Sequence, residues 1–325
     1  MNRRDTVHAL LALAAVATSC ASSAQTRPEK SARIGMLFGS AGIASLFLPL
    51  RTVLRDLGWI EGRNIVFDER VATQPADLSR LAVELVRLNP DLIVVWNLEA
   101  PAVLQTTRTV PIVVGGALDP VASGFAQSLA HPGGSVTGVL WADPRLASKM
   151  VQVLHEAVPT TRRLAFLYTE GFPGIGPYLE ADRAAAEAIG LDFQQFPVRS
   201  ADEIAGTLAI MERERVDGLL IVPNGVIAPE IDRILKFAAE RRVPTAFPTT
   251  WPVERGGLLS YGPDQSELLH RVAALVDRIL KGTKPGDLPF EYPTRYQLTI
   301  NLKTANVLGF KLPQTVLLRA DRLIE

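Results

Sequence analysis

The sequence is short of most of what catalysis and nucleic-acid binding draw on. It has a single cysteine, Cys20, so no intrachain disulfide can form. Of its four histidines, only His131, His155 and His270 lie beyond the amino-terminal segment, and none has a second ligand at metal-binding spacing. Neither sign of charge is in excess: lysine plus arginine and aspartate plus glutamate number 34 each. A chain with no net charge lacks the positive field that draws in phosphate backbones, and no nucleic-acid partner is expected. Long apolar runs are missing too, since the stretch 7–17 is far short of the roughly 20 residues a membrane-spanning helix needs.

Catalytic motifs are equally scarce. The turns Gly39-Ser40-Ala41-Gly42 and Gly133-Gly134-Ser135-Val136-Thr137-Gly138 both miss the G-x-S-x-G pattern that exposes a nucleophilic serine. Gly171, Gly174 and Gly176 stand in the wrong order for a dinucleotide-binding turn, and no lysine follows a glycine-rich loop in phosphate-binding register. The chain is expected to carry no catalytic residues, no metal and no cofactor.

What is present begins with an address. Asn2-Arg3-Arg4, the apolar run 7–17 and the small residues Ser22-Ser23-Ala24 have the layout of a secretory signal spanning 1–24. Arg3-Arg4 followed by Val7 and Leu10 hints at the twin-arginine route. Cys20, behind Ala17-Thr18-Ser19, stands where a lipid-anchored protein would carry its modified cysteine; cleavage after Ala24 would discard it. Either outcome predicts export, to the periplasm.

From residue 33 onward, β-rich runs alternate with segments of helical period. Runs at 33–38, 64–70, 91–96, 111–115 and 137–140 are followed by a second series at 163–168, 191–197, 217–222 and 244–247. Leu78, Leu81, Leu85 and Leu88 recur at helical spacing on one face. Such alternation predicts parallel sheets covered by helices, and its restart predicts two Rossmann-like lobes of the same α/β design. The expected lobes are 33–142 plus about 262–285, and 143–261 plus about 286–325. No low-complexity linker separates them, so a multi-strand hinge near 141–144 and 247–252 is expected, able to close around a guest. Asp264 and Glu267 signal a capped helix start.

Ligands of open parallel sheets gather at the carboxyl ends of the strands. The candidate contacts are therefore Gly39 and Ser40 after the first strand, Asn97, Leu98 and Glu99 after the third, and Asp119 after the fourth. In the second lobe they are Tyr168, Thr169, Asn224, Phe247 and Tyr261. Gly39 and Ser40 would offer amides and a hydroxyl to an anion at a helix start, or form an ordinary serine cap. Glu99 would orient a ligand or simply favour a helix start. Asp119 would pair with a ligand ammonium, or cap the turn before Pro120. The aromatic residues would line a cleft or pack in the core.

Longer blocks carry a resemblance. They are Leu54-Arg55-Asp56-Leu57-Gly58-Trp59-Ile60-Glu61-Gly62-Arg63-Asn64, Asp91-Leu92-Ile93-Val94-Val95, Pro111-Ile112-Val113-Val114 leading to Asp119-Pro120-Val121, and His131-Pro132-Gly133-Gly134. Gly256-Gly257-Leu258-Leu259-Ser260-Tyr261-Gly262-Pro263, Ile279-Leu280-Lys281-Gly282-Thr283-Lys284-Pro285-Gly286-Asp287 and Asn301-Leu302-Lys303-Thr304-Ala305 complete the set. In these the chain resembles the ABC-transporter substrate-binding proteins related to the tryptophan-binding lipoprotein, which have the type I periplasmic binding fold. The resemblance implies capture of a small molecule, such as an amino acid, between two lobes and delivery to a permease with its ATPase. Membrane contact would then come only through the permease or a lipid on Cys20. Where relatives often carry Gly-Thr-Pro-Ala, this chain has Asn97-Leu98-Glu99-Ala100, and the added carboxylate would favour a cationic ligand or repel a free acid. The same clamshell would serve a sensory receptor equally well, whereas an exported hydrolase would need a nucleophile and base that the sequence does not supply.

Overall fold

The computed structural model describes residues 31–325; the expected export signal and Cys20 lie outside them. Two sheets organise the chain. The first contains β1 (Ala32–Phe38), β2 (Ile65–Val71), β3 (Leu92–Val95), β4 (Ile112–Ala117) and β5 (Val136–Leu140), in the order β2-β1-β3-β4-β5. All its pairings are parallel. Leu92, Ile93, Val94 and Val95 are all buried, as expected of a central parallel strand covered on both faces. One cover is the helix Leu78–Arg87, which buries Leu78, Leu81, Ala82 and Leu85, the stripe that its leucine spacing predicts.

The second sheet contains β6 (Arg163–Thr169), β7 (Asp192–Val198), β8 (Gly218–Ile221), β9 (Thr245–Phe247), β10 (Leu259–Pro263), β11 (Tyr296–Asn301) and β12 (Arg322–Ile324). Its order is β12-β11-β10-β9-β8-β6-β7. Read from β7 to β10, it repeats the winding of the first sheet. The expectation of purely parallel sheets fails at β11, which runs antiparallel to β10. The reason is topological. After β10 the chain leaves for the first sheet and comes back at the end it left from, so Tyr296 lies opposite Pro263 and Ile300 opposite Leu259.

That excursion is the helix Gln265–Leu280, which packs on the strands of the first sheet and buries Leu268, Leu269, Val272, Ala273, Leu275, Val276 and Ile279. Each of the leucine, valine and isoleucine side chains contributes about 1.5–3 kcal/mol when fully buried. Asp264 caps its start, with its carboxylate accepting from the amides of Ser266 and Glu267. Glu267 does not reach back to complete a capping box. It accepts instead from the amides of Thr294 and Arg295, the Thr294 hydroxyl and the Arg271 guanidinium, tying the helix to the returning chain.

Three passages thus join the lobes: after β5, at 263–265, and along 291–296, where Glu291 bridges to Val139 before β11 begins. The segment between β9 and β10 stays on the second sheet, so the crossing expected near 247–252 occurs at 263–265 instead.

Candidate functional site

In each sheet the strand order reverses beside the first strand of its series, between β1 and β3 and again between β6 and β8. Such reversals separate the loops at the carboxyl ends and open a crevice. In the first lobe a single side chain spans it: the Gly39 amide, just after β1, donates to Glu99 Oε1, beyond β3, at 2.5 Å. In the second lobe the Thr169 hydroxyl, ending β6, donates to Asn224 Oδ1, beyond β8, at 2.8 Å. Asn224 Oδ1 also accepts from the amides of Val226 and Ile227.

Between these loop clusters lies a narrow cavity of about 50 Å³, room for a few water molecules. The first lobe lines it with Ile43, Leu46, Trp96, Leu98, Glu99, Gly116, Leu118 and Trp141, and the second with Phe172, Val222, Pro223, Asn224, Gly225, Pro248, Thr249 and Trp251. A second cavity of about 40 Å³ adjoins it, sharing Leu118, Trp141, Val222 and Pro248 and reaching Tyr178, Asp182, Tyr261 and Tyr296. No lysine, arginine or histidine lines either among the described residues.

The aromatic wall is a packed ladder. Phe47 meets Trp96 edge-on at 5.6 Å between ring centroids, and Trp96 meets Trp141 at 5.3 Å. β4 beneath them carries Gly115 and Gly116 just before its last residue, where nothing larger fits: a Cβ at Gly116 would lie 2.7 Å from the Trp96 ring, and one at Gly115 2.6 Å from Phe47.

Glu99 is the unusual member. It precedes the helix Ala100–Thr106 but makes no side-chain cap bond there. Its carboxyl is 1% exposed, and Oε2 has no partner. Burial pushes its pKa up to about 7, against the lowering effect of backbone amides including those of Gly39 and Trp96. Asp182, on the helix Gly176–Ala188, is 2% exposed with Oδ1 unpartnered, and burial raises its pKa to about 8.

Of the residues proposed from sequence, Leu98, Glu99 and Asn224 meet around the first cavity, and Tyr261 reaches the second, stacked on Tyr296. The others stand elsewhere. Ser40 caps the short helix Ala41–Leu46 by accepting from the Ile43 amide, and the neighbouring Gly39 amide is occupied by Glu99, so no anion cradle forms there. Asn97 is buried and joins the lobes, donating to the Pro173 carbonyl and accepting from the Leu118 amide. Asp119 accepts from the Ala122 amide, an ordinary turn cap. Tyr168 points to Gln195, Thr169 supports Asn224, and Phe247 is fully buried in the core of the second sheet. Sequence reasoning missed Trp96, Trp141, Phe172 and Trp251. Their signal was position, since Trp96 and Trp141 directly follow β3 and β5, and three of the four tryptophans line this one cavity.

Among the described residues no three histidine, cysteine, aspartate or glutamate side chains cluster as metal ligands, and no helix is long and apolar enough to cross a membrane.

The family described as ABC transporter substrate binding protein matches residues 48–324. Among solved structures, a conserved domain protein from Vibrio cholerae is 25% identical, covering 91% of this chain and 99% of its own, with a TM-score of 0.83. A domain from Streptococcus pneumonia crystallised with L-Trp is 26% identical over 91% of this chain and 100% of its own, with a TM-score of 0.84. A tyrosine-binding protein of Clostridioides difficile is 23% identical, covering 79% of this chain and 74% of its own length. The chain belongs to the ABC transporter substrate-binding protein family, of the type I periplasmic fold, and is a non-catalytic solute-binding protein that takes a small organic ligand for an ABC importer outside the cytoplasm.

Proposed function

We propose that the ligand enters between the two carboxyl-end loop clusters and is held against Trp96, Trp141, Phe172 and Trp251, as a small aromatic or similarly flat solute, an amino acid or a relative of one. The observation that carries this reading is the convergence of three tryptophans from both lobes on one cavity. Aromatic walls with a few polar tips are the usual make-up of a small-molecule site. The L-Trp complex of the Streptococcus pneumonia domain and the tyrosine-binding relative support the same class, and they support kinship with the tryptophan-binding lipoprotein.

Because the cavity is narrow in this conformation, admission of a solute of amino-acid size requires the lobes to part. Movement would concentrate in the three passages, with lobes of 33–142 plus about 262–285 and 143–261 plus about 286–325. Delivery would follow docking of the closed form on a permease and its ATPase.

Mass spectrometry of the protein purified from its host should reveal a co-purifying solute of this class, and Trp141→Ala should lose it. Retention of the same solute at unchanged affinity by Trp141→Ala would place the site elsewhere.

A further inference from the structure

Four buried polar atoms on the walls of the two cavities have no partner: Glu99 Oε2, Asn224 Nδ2 and Thr249 Oγ1 in the first, and Asp182 Oδ1 in the second. They differ in what would satisfy them. An amide nitrogen needs an acceptor oxygen, and a hydroxyl can donate to one or accept a hydrogen bond itself. A carboxylate enclosed by indole rings and aliphatic side chains needs a cation, because an ionised group buried without a counter-charge carries a desolvation penalty of several kcal/mol. Neither cavity supplies such a cation, having no basic lining side chain among the described residues; Arg322 lines a neighbouring opening that shares Trp141 and Trp251 with the first, and it is paired there with Glu254. A ligand carboxylate would enter the first cavity beside Glu99, with no basic lining side chain to receive it. A ligand ammonium would meet Glu99 Oε2 and be flanked by aromatic faces that attract cations.

Building on the cavity as the ligand site, we infer that the solute is an organic amine, cationic and without a free carboxylate. Its nitrogen sits on Glu99 Oε2, and a neutral hydroxyl or carbonyl oxygen is turned toward Asn224 Nδ2. Asp182, in the adjoining cavity, is kept protonated by burial to about pH 8. Burial keeps the Glu99 proton on to about pH 7, so an arriving ammonium would displace that proton and the site would take up the amine without holding a bare charge beforehand.

The test is calorimetric titration of the purified protein at about pH 8, where Glu99 is ionised, with matched pairs: tyramine against tyrosine, and tryptamine against tryptophan. Each amine should bind about tenfold or more tightly than its amino acid, and Glu99→Gln, which keeps the shape and removes the charge, should weaken the amine by a similar factor. A second measurement follows the pH. Amine affinity of the wild-type protein should fall as pH is lowered from about 8 to about 6, because Glu99 protonates while the amine stays charged, and the fall should be smaller in Glu99→Gln, where Asp182 still takes up its proton over this range. The groups facing Glu99 are the neutral amides of Gly39 and Trp96, with Asn224 and Thr249 elsewhere on the same walls; the other titratable linings are Asp182, Tyr178, Tyr261 and Tyr296 of the adjoining cavity. Equal or tighter binding of the amino acids, amine affinity unchanged in Glu99→Gln, or no binding by either amine would overturn the inference. Failure of the cavity reading itself reads out differently, as binding that survives Trp141→Ala.

Discussion

The two crevices are built alike and finished differently. In each, one side chain beyond the third strand of its series reaches across to the end of the first strand, Glu99 to Gly39 and Asn224 to Thr169. Asn224 uses its oxygen three times within its own lobe, so it mainly shapes a loop. Glu99 uses one oxygen once and leaves the other bare in an apolar space. Two equivalent places in one winding are thus finished differently, one with its oxygen fully bonded within its own lobe and the other with an oxygen left open. A buried neutral amide costs little once its oxygen is bonded, whereas a buried carboxylate stays expensive until a cation arrives.

The comparison can be attacked at four points, beginning with the wall both cavities share. Truncating Trp141 to alanine should cost about 3–5 kcal/mol of folding stability and abolish solute retention; denaturant titration together with calorimetry would read both.

Next comes Glu99 in the unliganded protein. Its pKa is raised from 4.5 to about 7, so the native state holds a proton that the unfolded chain has released, and its contribution to stability is lost as pH rises through about 7. The loss approaches about 3 kcal/mol by pH 8. Glu99→Gln should therefore raise the denaturant midpoint at pH 8 and leave it nearly unchanged at pH 4. Equal shifts at both would show that the carboxyl is not buried as described. Asp182, raised by burial in the same sense, adds to the alkaline loss in both proteins and cancels in the difference.

Asn224→Ala should do the opposite of Glu99→Gln, destabilising by about 2 kcal/mol at either pH, because the Thr169 hydroxyl and the amides of Val226 and Ile227 lose their acceptor. A neutral outcome would remove the structural role assigned to the second crevice. The smallest effect is expected at Ser40, where alanine removes a cap on a six-residue helix for about 1 kcal/mol or less and leaves binding untouched.

How much of this was readable in the chain follows from what each signal depends on. Period-two and period-3.6 patterns depend only on neighbours in sequence, and they located the strands, the helix starting after Asp264 and the restart that marks a second lobe. The antiparallel direction of β11 was not legible, because it is set by the excursion of Gln265–Leu280 to the other lobe and back. β12 was missed altogether: Arg322–Ile324 is three residues long and has no alternation to read. At the cavity, the rule that ligands gather at strand ends pointed to loops that line it, while several of the side chains chosen there bond elsewhere. Asp119 and Ser40 look chemically equipped, yet each answers a backbone amide within its own turn. Trp96 and Trp141 look like strand-end hydrophobes, and only the glycines opposite Trp96 and the meeting of two lobes turn them into a wall.

The central claim is that the two lobes enclose their solute at the carboxyl ends of their strands, with Glu99 as its charged anchor. A crystal structure of the protein with its tightest-binding amine tests that most directly. The amine nitrogen is expected within hydrogen-bonding distance of Glu99 Oε2, with the body of the amine against Trp96 and Trp141. An amine lying outside this cavity, or turned with its nitrogen away from Glu99, would contradict it.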